Sequence, residues 1–89
     1  METRVAVMGI IVEDSGSVVE EADTVEILNS ILHEYREYII GRMGIPYREK
    51  QISIISIAVD APQNTISAMS GRIGKLSGVS VKTAYSGLK

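Results

Sequence analysis

The segment between Ile40 and Arg48 carries the side chains best suited to contact a ligand. Gly41 and Gly44, three positions apart, interrupt an otherwise apolar run. Glycine inside a strand often marks a bulge or a close approach by another backbone or a ligand, and arginine suits anionic or planar partners. A bulged edge strand with surface arginines is the alternative. At Gly44 we expect a left-handed backbone or a close contact. The predicted ligand-binding residues are Arg42, Gly44, Tyr47 and Arg48.

Two further groups of side chains carry atoms that bind metals. His33 is the single histidine and there is no cysteine, so nitrogen or sulfur ligands for one ion would have to come from several copies of the chain. Carboxylates after the first apolar run offer oxygen ligands for a hard cation. Their spacing matches no known loop and suits a solvated acidic segment near a helix N-terminus. We predict no metal site and no cofactor. The carboxylates concerned are Glu13, Asp14, Glu20, Glu21 and Asp23.

Motifs of enzyme active sites are missing from the sequence. It has no glycine-rich phosphate loop followed by Lys and Ser or Thr, no nucleophile elbow and no zinc-protease helix. Serine and threonine are plentiful, but no motif places a base beside any of them. We therefore predict that the protein is not an enzyme.

Composition limits the other classes of function. The 89 residues predict a single domain over residues 1–89, and a net charge of -2 argues against direct nucleic-acid binding. The first apolar run, Val5–Val12, is too short to cross a membrane. The acidic residues after it do not resemble a signal-peptide cleavage site. We expect a cytoplasmic protein with no membrane segment, and the lack of cysteine is compatible with a reducing compartment.

Two predicted strands are apolar on both faces. The first strand is predicted at Arg4–Val12 and the third at Ile52–Val59; within Val5–Val12 both alternating sets of side chains are apolar, and Ile52–Val59 is similar. A strand that is buried on one face only alternates apolar with polar residues. Two helices can cover one face of the sheet, and soluble monomers rarely expose a large apolar patch on the other. We therefore predict a homo-oligomer that associates through the sheet.

The first helix has two candidate starts. Ser17 and Asp23 each open a capping box. We prefer Asp23 because the apolar spacing is densest after it, and Val18–Ala22 is then an extended loop or a frayed turn. The predicted apolar stripe of this helix is Val25, Leu28, Leu32 and Tyr35, widened by Ile27 and Ile31.

The other elements complete the order βαββαβ. Pro62 and Asn64 mark the entry to a second helix, and Gly78 suits its C-terminal cap. Two more strands are predicted at Tyr38–Ile45 and at Val79–Tyr85. The apolar stripe of the second helix is Ile66, Met69, Ile73 and Leu76.

This order predicts an α+β fold, the ferredoxin-like βαββαβ sandwich, with a four-stranded antiparallel sheet and both helices on one face. In that fold the first and third strands are central and the second and fourth lie at the edges, which agrees with the apolar pattern. An RNA-binding domain of this type would carry aromatic residues on its central strands for base stacking. Here those positions are aliphatic, which argues against RNA.

The segments Gly41–Glu49, Ile52–Ser56 and Gly78–Lys82 resemble a small family of ACT-like proteins labelled as regulators of the iron-only hydrogenase system. The resemblance extends over nearly the whole chain, and Ser17–Asp23 departs from it as an apparent insertion. It implies a ferredoxin-like ACT fold, related to the C-terminal domain of the nickel-responsive repressor. Such domains associate through their sheets and bind small effectors at the interfaces. The metal ligands of the nickel domain have no matching set here, so that site is not carried over.

The combined expectation is a non-enzymatic, homo-oligomeric regulatory module. It would bind a small effector or a partner protein near the first-strand loop and the Gly41–Arg48 segment, in connection with the regulation of iron-only hydrogenase. The alternative is a metal-sensing domain of the nickel-regulator type that uses oxygen ligands and His33 across a symmetry axis. A small ferredoxin-like hydrolase is a third class, but no catalytic Arg/Asn loop is recognisable after the first strand.

Overall fold

The computed structural model describes residues 2–13 and 18–87. Six main elements follow one another in the order β1, α1, β2, β3, α2 and β4. Short 3₁₀ turns at Arg36–Tyr38 and Arg48–Lys50 flank β2. The bounds are β1 Arg4–Glu13, α1 Val18–Glu34, β2 Ile39–Tyr47, β3 Ile52–Ala61, α2 Gln63–Gly74 and β4 Val79–Tyr85.

All four strands form one antiparallel sheet in the order β2-β3-β1-β4. The strands that are apolar on both faces, β1 and β3, are therefore the central ones, and the more polar β2 and β4 are the edges. This confirms the predicted ferredoxin-like α+β fold and the assignment of the strands within it.

The core lies between one face of the sheet and the two helices. Along β1 the even-numbered residues from Ala6 to Val12 are buried, and Ile57 and Val59 of β3 continue the same layer. Each fully buried side chain of this size contributes about 1.5–3 kcal/mol relative to an exposed one. The helices supply the opposing layer with Leu28, Ile31 and Leu32 of α1 and Ile66, Met69 and Ile73 of α2.

The other face of the sheet has no helix against it, and we call it the open face. Its β1 side chains Val5, Val7 and Ile11 are 41–45% exposed. Ile11 pairs with Ile54 of β3, and Ile54 pairs with Ile45 of β2, so one apolar row crosses three strands. Further exposed apolar side chains on this face are Met43 and Tyr47.

The predicted start of α1 at Asp23 is wrong. The helix begins at Val18, so Val18–Ala22 is helical rather than extended. Glu20, Glu21 and Ala22 are good helix formers, and acidic residues are favourable in the first turn of a helix. The apolar density after Asp23 marks where the helix meets the core, not where it begins. The other candidate cap, Ser17, lies outside the described residues.

The buried stripe of α1 also differs from the prediction. Leu28, Ile31 and Leu32 are buried as expected, whereas Val25 and Ile27 are exposed and Thr24 is buried in their place. Thr24, Leu28 and Ile31 follow the spacing of one helix face. The helix is therefore rotated slightly from the orientation that the apolar residues alone would favour.

β1 and β3 extend beyond their predicted C-terminal ends, β2 begins one residue later and ends two residues later than predicted, and β4 agrees with the prediction. Pro46 lies inside β2, which is tolerated because β2 is an edge strand. The pairing of β2 with β3 shifts between Ile39 and Gly41, which agrees with the alternative interpretation of this segment as a bulged edge strand. Helix α2 ends at Gly74 and its cap is Lys75. Gly78 is therefore not the cap but the residue before β4.

Candidate functional site

A groove runs along the side of the molecule between α1 and β2. Every residue from Ile40 to Gln51 is exposed, because α1 packs over the central strands and leaves the edge strand uncovered. The upper part of the groove has a volume of about 290 Å³ and the lower part about 200 Å³; Asn29 and Arg42 line both. We call this the α1–β2 groove. The upper part is lined by Asn29, Leu32, His33, Arg36, Ile39 and Arg42.

The polar side chains of the upper part come from two elements. Arg42 pairs with the buried Ile57 across the sheet, so its side chain leaves β2 on the helix side, and its Nη2 donates to Oδ1 of Asn29 at 3.4 Å. Arg36 follows the end of α1, and its Nη1 donates to the carbonyl oxygen of His33 at 2.9 Å. That bond satisfies a carbonyl group of the last helical turn and fixes the guanidinium beside the groove.

The structure brings together two of the four predicted ligand-binding residues. Arg42 and Gly44 both line the α1–β2 groove. Tyr47 pairs with Ile52 and so lies at the edge of the open face, and its hydroxyl donates to Oε2 of Glu49 at 3.4 Å. Arg48 begins the 3₁₀ turn after β2. The predicted segment therefore contributes to two different surfaces.

Three polar residues of the groove were not predicted from the sequence to bind a small ligand. Asn29, His33 and Arg36 are spaced by four and three residues, the spacing of one helix face. This spacing is visible in the sequence, but it does not by itself distinguish a groove-lining face from an ordinary solvent-exposed face of the helix. Of the three, the sequence pointed only to His33, as a possible metal ligand.

The predicted backbone constraint at Gly44 is wrong. Its φ angle is not in the left-handed region, which among the described glycines is occupied by Gly78 alone. A Cβ atom added at Gly44 would meet nothing within 4 Å. Gly44 therefore serves as open space in the lower part of the groove. Of the helix glycines, Gly74 packs onto the sheet, since an added Cβ would lie 3.4 Å from Cγ1 of Val81, whereas Gly71 is open.

The described residues contain no group of three or more His, Cys, Asp and Glu side chains able to hold a metal ion. His33 is exposed and lines the groove together with Arg36 and Arg42, whose positive charges oppose a divalent cation. Within the predicted acidic cluster, Asp14 and the side chains of Glu20, Glu21 and Asp23 lie outside the described part of the chain.

An ion pair joins the two helices behind the groove. Arg72 of α2 donates to both carboxylate oxygens of Glu34, at 2.8 and 3.1 Å, and its guanidinium lies 5.6 Å from the centre of the Tyr35 ring. The hydrogen bond from Arg72 lowers the pKa of Glu34 below its ordinary value, and the charge of Arg72 acts in the same direction. The carboxylate nearest the end of α1 is thus already partnered.

The open face has a shallow hollow at its centre. Gly9 lacks a side chain where its strand partners are Ser56 and Lys82, which leaves a depression of about 270 Å³ that Ile11 and Ile54 also line. An added Cβ at Gly9 would meet only the carbonyl oxygen of Lys82, at 3.9 Å. The hollow is therefore not required by packing within the protomer. Within the described residues, no helix is long and apolar enough to span a membrane.

The βαββαβ order and the two helices on one face of the sheet define a ferredoxin-like α+β domain. A family model matches residues 4–83, nearly the whole chain. The chain belongs to that family, which is described as "TM1266-like: Iron-only hydrogenase system regulator, putative". This confirms the family indicated by the resemblance.

Two solved structures place this fold among known proteins. The uncharacterized protein TM1266 from Thermotoga maritima is 36% identical, with a TM-score of 0.85 over 94% of this chain and 98% of that chain. A formyltetrahydrofolate deformylase from Pseudomonas putida KT2440 is 13% identical, with a TM-score of 0.58. The match covers 90% of this chain and 28% of the deformylase, so it shows a common fold alone. No curated protein sequence matches the chain.

Proposed function

We propose that this protein is a non-enzymatic regulatory module of the iron-only hydrogenase system. It assembles with copies of itself through the open face and binds a small effector in the α1–β2 groove. The family description supports the regulatory role. The sequence offers no motif for a nucleophile or a phosphate loop, which supports a binding function rather than catalysis. We place the protein in the cytoplasm.

The observation that carries the proposal is the apolar open face. Its exposed side chains include Val5, Val7, Ile11, Ile45 and Ile54. Contiguous apolar patches on soluble monomers rarely exceed a few hundred Å². An apolar row of this width is expected to be covered in solution, and a second copy of the chain is the cover that we propose.

The dimensions of the chain support the same conclusion. The radius of gyration is 13.3 Å, whereas a compact domain of this length has about 12 Å. A two-layer sandwich with one uncovered sheet face has this extended shape. A second sheet against the open face would bury the central strands on both sides, as their sequence pattern requires.

The four residues predicted to bind ligands divide between two roles in this proposal. Arg42 and Gly44 lie in the groove, where a small effector would bind. Tyr47 lies at the rim of the open face and Arg48 in the following turn, where a second subunit or a partner protein would contact them. Effector and partner binding would then be close to each other on β2, which is how one could influence the other.

The proposal is tested by placing a charge at the centre of the open face. Ile54→Lys introduces a lysine in the apolar row of β3, where a solitary subunit can solvate the ammonium but an interface cannot. We expect the mass measured by light scattering to fall to that of one chain, 9.7 kDa. Circular dichroism should show an unchanged fold.

The control is Asn64→Lys, which adds the same charge at an exposed position in the first turn of α2. It should keep the mass of the natural protein. An Ile54→Lys variant with the same mass as the natural protein would refute assembly through this face.

A further inference from the structure

We propose that the effector of the α1–β2 groove is a small organic dianion, held between the guanidinium groups of Arg36 and Arg42. This deepens the proposed function by naming the ligand class, and it rests on the groove being the effector site. The class comprises compact dicarboxylates and phosphomonoesters, which share two negative charges carried on oxygen atoms. Cations and neutral planar molecules are thereby excluded as the natural occupants.

The charge of the groove favours an anionic ligand. Of the six residues that line its upper part, two are arginines, one is a histidine and one is an asparagine, and none is acidic. The nearby Glu34 does not line the groove and is paired with Arg72 at 2.8 Å. Two permanent positive charges without a carboxylate among them favour an anionic ligand, and two charges match a dianion better than a monoanion.

The hydrogen-bond donors of the groove suit the oxygen atoms of a carboxylate or a phosphate. Arg36 follows the end of α1 and Arg42 lies on β2, so the two guanidinium groups reach the groove from two different elements. A guanidinium has five N–H donors in a planar fork that binds two oxygen atoms of a carboxylate or phosphate at once. Their described bonds, to the His33 carbonyl and to Asn29 Oδ1, take one donor each. His33 adds a further ring nitrogen.

The floor of the groove is apolar and suits a short carbon chain between the two charged ends of a ligand. Leu32 is buried and Ile39 is half-buried, so the cationic walls stand over an apolar base. A short carbon chain between two anionic ends would lie on that base, and charge-assisted hydrogen bonds strengthen where water is excluded. The volume of about 290 Å³ lies at the small end of the range for ligand sites, roughly 300–1,000 Å³. A metabolite of a few carbon atoms fits within this upper part.

The test is a titration followed by nuclear magnetic resonance of the arginine Nε–Hε and asparagine side-chain signals. Three probes separate the sources of the anion: glutarate as a dicarboxylate, glycerol phosphate as a phosphomonoester, and inorganic phosphate without a carbon chain. Glycerol is the uncharged comparison. We expect saturable shifts of the Arg36, Arg42 and Asn29 signals with glutarate or glycerol phosphate, and weaker binding of inorganic phosphate.

Three variants locate the binding. Arg36→Gln and Arg42→Gln should each weaken binding at least tenfold, the size of one charge-assisted hydrogen bond. Arg42→Lys keeps the charge but loses the planar fork and should recover only part of the affinity. The control is Lys50→Gln, which removes one positive charge from an exposed residue outside the groove and should change the affinity less than twofold.

Shifts that do not saturate, or an equal loss of affinity in Lys50→Gln, would overturn the proposal, because the anions would then sense only the general surface charge. Saturable binding of glycerol alone would also overturn it. Light scattering on the same samples reports assembly separately. A protein that assembles through the open face but binds none of the anions would refute the ligand class and leave the proposed regulatory module standing.

Discussion

Gly78 offers the sharpest test of the backbone that closes the sheet. Its φ angle is +73°, and a Cβ atom there would lie 3.0 Å from the carbonyl oxygen of Glu13. The amide of Glu13 donates to the carbonyl oxygen of Gly78 at 2.7 Å. This bond holds the loop against the end of β1, so the close contact cannot be relieved by a small shift of the loop. Glycine is therefore required both for its conformation and for its lack of a side chain.

The cost of Gly78→Ala follows from two opposing contributions. The left-handed conformation costs an alanine about 1–2 kcal/mol, and the reduced entropy of the unfolded chain returns about 0.4–1 kcal/mol. The contact with Glu13 adds to the cost. We expect a net loss of about 1 kcal/mol or more in the free energy of unfolding. For a domain of this size, each kcal/mol lowers the melting temperature by about 4–8 °C.

Gly71→Ala is the matched control. Gly71 lies on the exposed side of α2, and an added Cβ would meet nothing within 4 Å, so alanine should stabilise the helix by up to about 1 kcal/mol. Urea unfolding of both variants at one fixed protomer concentration removes the contribution of assembly to stability. The two glycine-to-alanine changes should have opposite signs. A Gly78→Ala variant as stable as the natural protein would show that position 78 does not require glycine.

Three further outcomes are expected. Thr83→Val should leave stability unchanged or raise it by about 1 kcal/mol in urea unfolding, because the buried Thr83 hydroxyl oxygen has no hydrogen-bond partner among the described residues; a clear loss would show that the hydroxyl does form a hydrogen bond. Arg72→Gln should destabilise the protein at neutral pH, and the difference should shrink in acid, where the ion pair with Glu34 is lost and the contact of Arg72 with Tyr35 remains. The hydrogen bond from Arg72 lowers the pKa of Glu34 below 4.5, so its contribution is present above that pH and disappears as the pH falls through the folded-state pKa. Removing divalent metals with a chelator should not change the melting temperature, and a fall beyond about 4–8 °C would favour a metal site.

The fold was predictable because its pattern repeats along the chain. The apolar residues on both faces of Arg4–Val12 and Ile52–Val59 identified the central strands, and the register of β1 with β3 pairs those two runs directly. The start of α1 was not predictable, because two capping boxes six residues apart compete and the local sequence does not separate them. The helix begins at Val18, which agrees with the high helix propensity of Glu20, Glu21 and Ala22 between the two capping boxes.

The site was predictable only in part. Arg42 and Gly44 were found because glycines inside a strand are unusual, but the physical reason assigned to Gly44 was wrong. The groove depends on how far α1 stands from the edge strand, and no single segment of the sequence encodes that distance. Asn29 and Arg36 become site residues only once the helix is placed beside β2.

We propose above that the open face of the sheet is an interface between copies of this chain. Sedimentation equilibrium of the natural protein over a dilution series in the micromolar range tests it most directly. We predict a mass of at least two chains of 9.7 kDa each, with dissociation only on strong dilution. A mass of one chain at every concentration would contradict the claim, because the apolar row formed by Ile11, Ile45 and Ile54 would then be exposed to water.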